Sequence, residues 1–447
     1  MIVTGLVAVY VLVVLRLQAQ WWFEDDPYQI AYVTRHQPWE FFLSRESLSR
    51  GLVGLLFTPM QNLTYWIDGT LARTSAGFAY AHTALSLWVA MLLWLAVLRA
   101  WIGRIAALTV VVLTLLLPAT IVVAEFISLR NYLDGLCLAL AAIWLSQRAM
   151  AYRGGRYVAC VAAAVVCAFL GSLAKELYVT TPFAIVALVF ASHRRWGGVA
   201  AIAGAGVAYV AYYWWVIGSL TSTFDIPMLA PADYPRFLLK YPYIFAGGAA
   251  GWALAGLGVL AVARGVWRRQ IQPRDVLVVA LLVLIALASM SPAMSALDRE
   301  YLTPGTWYRA SFVSSLVILG GSAWLVRGAS RLTRSVLAIS TAAALTFGAV
   351  TAVRAWDALH ARYRIEGQFY LANPDKLVYS ELPAWWFLVG IDDLYRVPQR
   401  HYVIAARPGQ AGDRELLEQF GSVWRYSPVI PGYFPAPDVF RQLSGAR

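Results

Sequence analysis

The chain has 447 residues, 60% hydrophobic and 13% charged, with a formal net charge of +12. A soluble domain carries about 25% charged residues, so this composition excludes a protein solvated over a broad aqueous surface. The basic excess does not make a nucleic-acid face, because the arginines fall in short clusters between apolar runs, where membrane proteins carry their orientation signals.

Apolar runs of about 17–22 residues recur, each long enough to cross a hydrocarbon core of roughly 30 Å as a helix. About eleven spans are predicted, at 2–18, 77–98, 104–124, 131–147, 157–173, 178–192, 197–217, 243–263, 275–291, 310–326 and 333–354. The first run, Ile2 to Val14, lacks an A-x-A-like cleavage site and reads as a retained span. Trp21, Trp22 and Phe23 follow it and read as an interfacial aromatic belt. Next comes Glu24-Asp25-Asp26. Three adjacent carboxylates at a membrane surface suit a general base with a metal ligand beside it; they suit a solvated acidic loop equally well.

The first loop, 19–76, is not a span. Trp39–Arg50 and Met60–Leu71 alternate apolar and polar residues at helical spacing and suit helices lying in the interface. Gly51–Phe57 is apolar but too short to cross. Farther on, Glu125, Arg130 and Asp134 cluster at the turn between the third and fourth spans. Arg130 could take a phosphate bidentately or pair with Glu125. Lys175-Glu176 lies in a very short link, so both charges sit at the membrane boundary. Ionisable residues at that depth usually have a partner and often a role: Lys175 as a point charge for phosphate, or the pair as a plain helix terminator. Asp298-Arg299-Glu300-Tyr301, with Pro304 and Arg309, precedes the tenth span. Its arginines either neutralise a phosphate leaving group or pair locally with the acids.

Five alternate loops carry the arginine clusters Arg99/Arg104, Arg148/Arg153/Arg156, Arg194/Arg195, Arg264/Arg268/Arg269/Arg274 and Arg327/Arg331/Arg334. The other loops hold nearly all the interhelical acids. The positive-inside rule then places the N-terminus in the cytoplasm and the C-terminus outside. Charges, prolines and turn signals return after about residue 355. Strands near Leu377–Tyr379 and Tyr402–Ala405 and a helix near Arg414–Phe420 predict a small mixed α/β domain over 356–447. Cys137, Cys160 and Cys167 lie in apolar runs and read as small hydrophobes, with no disulfide framework or metal spacing. His36 and His82 stand isolated in the sequence. No HExxH, P-loop, strand-linked GxGxxG or GxSxG occurs.

Four motifs in order resemble the GT-C superfamily of membrane glycosyltransferases. FEDDPYQIAY is similar to that superfamily's first-loop acidic motif, with Asp25-Asp26 matching the acidic pair of protein O-mannosyltransferases and of aminoarabinose transferases. LLPATIVVAEFISLRNYLDGLCLAL resembles the third-to-fourth-span region of TMTC-like enzymes, in Pro118, Glu125 and Arg130. GSLAKELYVTTP resembles their SKE…P element and DREYLTP their late RY..P element. Leu117 stands where a histidine often precedes the proline, Glu300 interrupts the Arg-Tyr pair, and no TPR array follows.

The resemblance spans roughly residues 1–310. It implies an all-α polytopic membrane fold over 1–355 of GT-C type, and transfer of a sugar from a polyprenyl-phosphate donor to an acceptor hydroxyl on the periplasmic face, with inversion. Asp25 would be the base, with Asp26 or Glu24 orienting the acceptor. Lys175, Arg130, Arg299 and Arg309 would hold the donor phosphate, supported by Glu125, Glu176 and Tyr301. No cofactor is required; a divalent cation, where one is used, would sit on Asp25 and Asp26. The acceptor would be a glycan, lipid or protein, and the setting a bacterial inner membrane. Competing readings are a lipid-linked sugar flippase or other transporter, an O-antigen ligase or polymerase, and a non-catalytic scaffold. A transporter predicts paired broken spans near midplane, whereas Pro118 and Pro182 lie toward outer ends.

Overall fold

In the computed structural model, residues 1–16, 21–23, 26–48, 58–72, 74–218, 234–288, 308–309, 311–380, 386–396, 403–405 and 413–444 are described. The described residues of the eleven predicted segments are mostly helical, with 243–263 divided at Gly247–Ala249 between two helices. The helices are α1 (Ile2–Tyr10, continued by a π-helical turn to Leu15), α2 (Asp26–Val33), α3 (Glu40–Leu43), α4 (Pro59–Ala72), α5 (Ala76–Ile102), α6 (Arg104–Leu115) and α7 (Pro118–Glu125). There follow α8 (Arg130–Ala149), α9 (Gly154–Ala174), α10 (Thr181–Ser192), α11 (Trp196–Ile217), α12 (Tyr234–Ala246), α13 (Ala250–Trp267), α14 (Pro273–Ala288), α15 (Phe312–Leu325) and α16 (Arg331–Ala372). Among the described residues, five helices (α5, α9, α11, α13 and α16) are long and apolar enough to cross a membrane alone, and six spans result if the bent pair α6–α7 is one. Of the others, α8 has 20 residues but is too polar to qualify and the rest are shorter, so the count of eleven crossings is not carried by single helices.

The predicted span at 104–124 is not one straight helix. It breaks at Leu116–Leu117 and turns by 59° into α7. Pro118 opens α7, where its missing N–H costs nothing and its fixed φ favours a helix start. Close approach secures the bend: a Cβ on Gly348 would lie 2.0 Å from the Ala246 carbonyl oxygen and 3.1 Å from Pro118 Cγ. Side-chain caps start α5 and α16, with Ser75 Oγ accepting from Phe78 N (3.3 Å) and Ser330 Oγ from Thr333 N (3.2 Å). At the centre, α8 packs between α5, α9 and α10.

Helix α16 crosses the expected boundary at 355 without a break. Its uncharged stretch Ser335–Val353 is about 30 Å long at the helical rise, the thickness of a hydrocarbon core. Arg354–Ala372 stands beyond it. Arg16, which ends the first apolar helix, pairs there with Asp357 at 2.7 Å.

The C-terminal unit is the small mixed fold expected. Strands β1 (Val378–Ser380), β2 (Val403–Ala405), β3 (Trp424–Ser427) and β4 (Gly432–Pro435) form one sheet in the order β2-β1-β3-β4. Strand β1 is parallel to β2 and β3, and β3 pairs antiparallel with β4. Helices α17 (Trp386–Tyr395), α18 (Asp413–Phe420) and α19 (Pro437–Ser444) complete it. Buried Glu366 on α16 accepts from Ser380 Oγ (3.0 Å) and from Arg362 Nε (3.2 Å), joining sheet to helix.

Trp22 and Phe23 are not an exposed belt. They are 1% and 0% exposed, and Phe23 packs on Phe126, Trp356, Tyr363 and His360. Aromatic rings suit either an interface or a core, and the neighbouring rings of α16 decide for the core.

Candidate functional site

Asp26 opens α2, with Pro27 at the position that tolerates a missing N–H. Its carboxylate is 1% exposed. Oδ2 accepts from Phe23 N (3.1 Å) and Oδ1 from Ser128 N (2.8 Å). Asp26 therefore fastens the start of α2 to the segment that leads into α8. Glu24 and Asp25, which precede it, lie outside the described residues, as do Gly51–Phe57, Arg299 and Tyr301.

The segment receiving Asp26 is clamped by α4. Tyr65 Oη donates to the Ile127 carbonyl (2.9 Å), Gln61 Nε2 to that of Ser128 (3.0 Å), and Asn131 Nδ2 to Gln61 Oε1 (3.0 Å). Arg130, the first residue of α8, is 0% exposed. Its Nη1 donates to Asp68 Oδ2, its Nε lies 3.6 Å from Asp134, and its guanidinium lies 5.1 Å from the Tyr65 ring centre. The protein partner is not Glu125, which the sequence offered, but Asp68 on α4. Asp68 Oδ1 in turn meets His82 Nδ1 at 2.7 Å, and Ser86 Oγ donates to Asp134 Oδ1 at 2.6 Å. His82 is thus paired despite its isolation in the sequence, and His36 meets Glu40 at 3.1 Å.

Lys175 leaves α9 in an extended conformation (φ −158°, ψ 136°). Its half-buried ammonium lies 5.6 Å from the centre of the Tyr132 ring, close enough for a cation–π attraction. The Tyr132 carbonyl accepts from Tyr178 Oη at 2.5 Å. Tyr178 fits because residue 135 is glycine; a Cβ there would sit 2.4 Å from its ring. Phe312, at the start of α15, meets the Tyr132 ring edge-on at 6.5 Å. Half-buried Arg309 lies three residues before it. Glu176 begins the 3-10 turn Glu176–Tyr178 directly after Lys175. Ser128 and Tyr132 are one helical turn apart, roughly 6 Å along the axis. Asp26 and Lys175 are therefore anchored to adjacent turns of one segment.

Glu125, 4% exposed, ends α7; its carbonyl accepts from Tyr80 Oη (2.8 Å). Its carboxylate lies 3.8 Å from His360 Nε2. Burial pushes the His360 imidazole down to about 4, which favours the neutral ring at neutral pH. The ring stacks on Phe23 at 4.5 Å.

Beneath Tyr178 opens an apolar cavity of about 340 Å³ between α5, α8, α10, α14 and α15. Tyr178, Thr181 and Val313 line one end, and Trp101, Ser192 and Trp324 the other. It thus runs along all of α10, from beside Lys175 to the arginine-rich end. Sequence reading missed Tyr132, Tyr178, Asp68 and His360. A proline after GSLAKELYVTT marked the entry to α10, but nothing local marked their long-range partners. Among the described residues, no three His, Cys, Asp or Glu side chains gather as a metal site.

No protein-family model matches the chain, and no curated protein sequence does. Among solved structures, the chain is similar to ArnT from Cupriavidus metallidurans in the apo state, at 14% identity and a TM-score of 0.49, over 100% of this chain and 95% of that one. It is similar to the same protein bound to undecaprenyl phosphate at the same identity and TM-score, over 99% and 95%. The oligosaccharyltransferase of Archaeoglobus fulgidus, tethered to an acceptor peptide, is similar at 13% identity and a TM-score of 0.46, over 92% of this chain and 64% of that one. At these identities and TM-scores, the likenesses carry no inference about the chemistry of this chain.

Proposed function

We propose that the protein is a membrane glycosyltransferase that moves a sugar from a polyprenyl-phosphate donor to an acceptor hydroxyl. The observation that carries this reading is the fastening of Asp26 and Lys175 to Ser128 and Tyr132, with an apolar cavity beginning at Tyr178 just below. Asp26, a cation and an apolar cavity lie near one another on these elements. Three of the four sequence motifs that resemble GT-C enzymes lead into or fall on these same elements, and the fourth, DREYLTP, lies outside the described residues.

In this reading the donor's tail lies in the cavity and its phosphate on Lys175, with Arg309 and Arg299 contributing charge. Asp25 takes the proton of the acceptor hydroxyl. The acceptor oxygen bonds to the anomeric carbon from the face opposite the phosphate, so configuration inverts. The bond from that carbon to the phosphate oxygen breaks, and polyprenyl phosphate leaves with its charge on the cations. Fixed cations at a water-poor boundary stabilise such developing charge better than solvent does. Asp26 is a positioning residue, since two N–H groups engage its oxygens. Arg130 holds α4 to α8 through Asp68, which fits its complete burial better than direct phosphate contact does. Glu125 and Glu176 flank the site. A divalent cation, where used, would depend on Asp25 and Glu24 together with Asp26.

The alternating arginine loops support a periplasmic site in a bacterial inner membrane. The test is transfer from a polyprenyl-phosphate sugar by purified protein in detergent, where no gradient exists. Transfer that is lost in Asp25→Asn with the fold retained is expected. Failure of the wild-type chain with every lipid-phosphate sugar offered would leave transport as the better reading.

A further inference from the structure

Among the described residues, the hairpin joining β3 to β4 is the most exposed apolar feature of the C-terminal unit. Ser427–Phe434 carries no charge. Val429 is 87% exposed, Ile430 65% and Phe434 45%. Pro428 and Pro431 bracket the tip, and Ile430 N donates to Ser427 Oγ at 3.4 Å, closing the turn. The Phe434 ring lies over Gly432, 3.5 Å from where a Cβ would stand, which brings its apolar face toward the tip. A turn in water normally carries polar residues; this one presents three large hydrophobic side chains.

Its direction follows from the contacts of β3 with α16. At the start of β3, Lys376 lies 4.1 Å from the Trp424 ring centre and 5.3 Å from that of Phe369. Toward its end, the Arg362 guanidinium lies 5.2 Å from the Tyr426 ring centre. Tyr433, opposite Tyr426, stacks on Phe369 at 4.3 Å, so the hairpin crosses α16 obliquely, with β3 leading from the level of Phe369 toward that of Arg362. Beyond Tyr426, one more strand residue and the turn Pro428–Pro431 carry the hairpin on by roughly 7–8 Å. From Arg362 to Asp357 is roughly 8 Å of helix. The tip thus reaches, within about one helical turn, the level of the Arg16–Asp357 pair, where the apolar parts of two helices end.

We propose that Pro428–Pro431 dips into the headgroup region of the bilayer beside α16, tethering the C-terminal unit to lipid. The proposal commits to lipid as occupant because the exposed apolar tip and the end of two apolar helices coincide in height. It is independent of the transfer reaction. Interfacial segments of this kind place apolar groups about 5–10 Å into the headgroup boundary.

The test uses the full chain in phosphatidylethanolamine–phosphatidylglycerol nanodiscs, with Cys137, Cys160 and Cys167 replaced by alanine and Ile430→Cys labelled with bimane. Gln419→Cys, exposed on α18, is the aqueous control. The label at position 430 is expected to lose fluorescence to lipid bearing a shallow nitroxide and to resist aqueous iodide, with the reverse at position 419. Iodide quenching at 430 equal to that at 419, without lipid quenching, overturns the proposal. Should the alanine chain fail to fold, the same comparison is made on native-cysteine background, subtracting the signal of the labelled chain that lacks the added cysteine.

Discussion

The Lys175 ammonium sits 5.6 Å from the centre of the Tyr132 ring, one helical turn along the segment whose Ser128 N–H is held by Asp26 at 2.8 Å. This relationship brings the first loop and the end of α9 to one place, although almost 150 residues separate them.

If Lys175 holds the leaving phosphate, Lys175→Ala should lower kcat/KM for donor by about a hundredfold or more, the scale of losing one charge-stabilising group. Tyr132→Leu, which keeps the bulk but removes the ring, should cost less, since cation–π attractions contribute about 0.5–2 kcal/mol. Steady-state transfer assays on both variants check this order. Equal activities of Lys175→Ala and wild type would remove the lysine from the mechanism.

The Arg130–Asp68 pair should behave as a buried structural tie. Breaking such a pair from one side costs about 3–5 kcal/mol, so Asp68→Asn and Arg130→Met should each lower the Tm in detergent. The double replacement should be less harmful than the sum of the two, because neither Asp68 nor Arg130 is then left charged without the other. Thermal unfolding of the three variants measures the coupling directly.

The sequence made some of this legible. The described residues of the eleven apolar segments proved mostly helical, because hydrophobic periodicity is a local property. The strands at Val378 and Val403 and the helix at Asp413 were legible for the same reason. The break at Leu117 was not, since three leucines lead into Pro118 and the run reads as almost continuously apolar. The passage of α16 through residue 355 was hidden by a change of composition without a change of helix propensity: Arg, Ala, Leu and Glu continue a helix beyond the membrane as readily as Val and Ala do within it. Asp68–Arg130 and Lys175–Tyr132 join distant segments, and local pattern encodes neither. The motif residues drew attention to the right loops but not to the groups that hold them.

His360 supplies a pH signature. Its imidazole titrates near 4 in the folded chain against an ordinary 6.5. Between these values the unfolded chain binds the extra proton, so stability rises with pH across the window and is lost as pH falls from 6.5 toward 4. His360→Phe, which keeps a ring against Phe23, should flatten that slope. Tm measured against pH for the two chains is the check; parallel curves would contradict the assignment.

The docking of the C-terminal unit on α2 should matter for activity. A Cβ on Gly390 would lie 2.5 Å from Tyr28 N, and Arg35 pairs with Asp393 at 2.9 Å across the same contact. Gly390→Leu should push α17 away from α2 and reduce transfer while the transmembrane helices stay folded. Limited proteolysis, with faster cleavage of the C-terminal unit, would report the displacement alongside the lost activity.

The cavity should discriminate donors by tail. Val317 lines it, and Val317→Trp would overfill it. Overpacking costs about 1–3 kcal/mol, roughly ten- to a hundredfold in affinity. KM should therefore rise for a long polyprenyl donor and much less for a short-chain analogue. An equal rise for both would place the tail elsewhere.

The most direct measurement is the structure of the full chain in nanodiscs with polyprenyl phosphate bound. The account predicts phosphate density within salt-bridge reach of Lys175 Nζ and the first prenyl units entering beneath Tyr178. Headgroup density at the arginine-rich end of the helices, or at the α16 side of the bundle away from Tyr132, would contradict it.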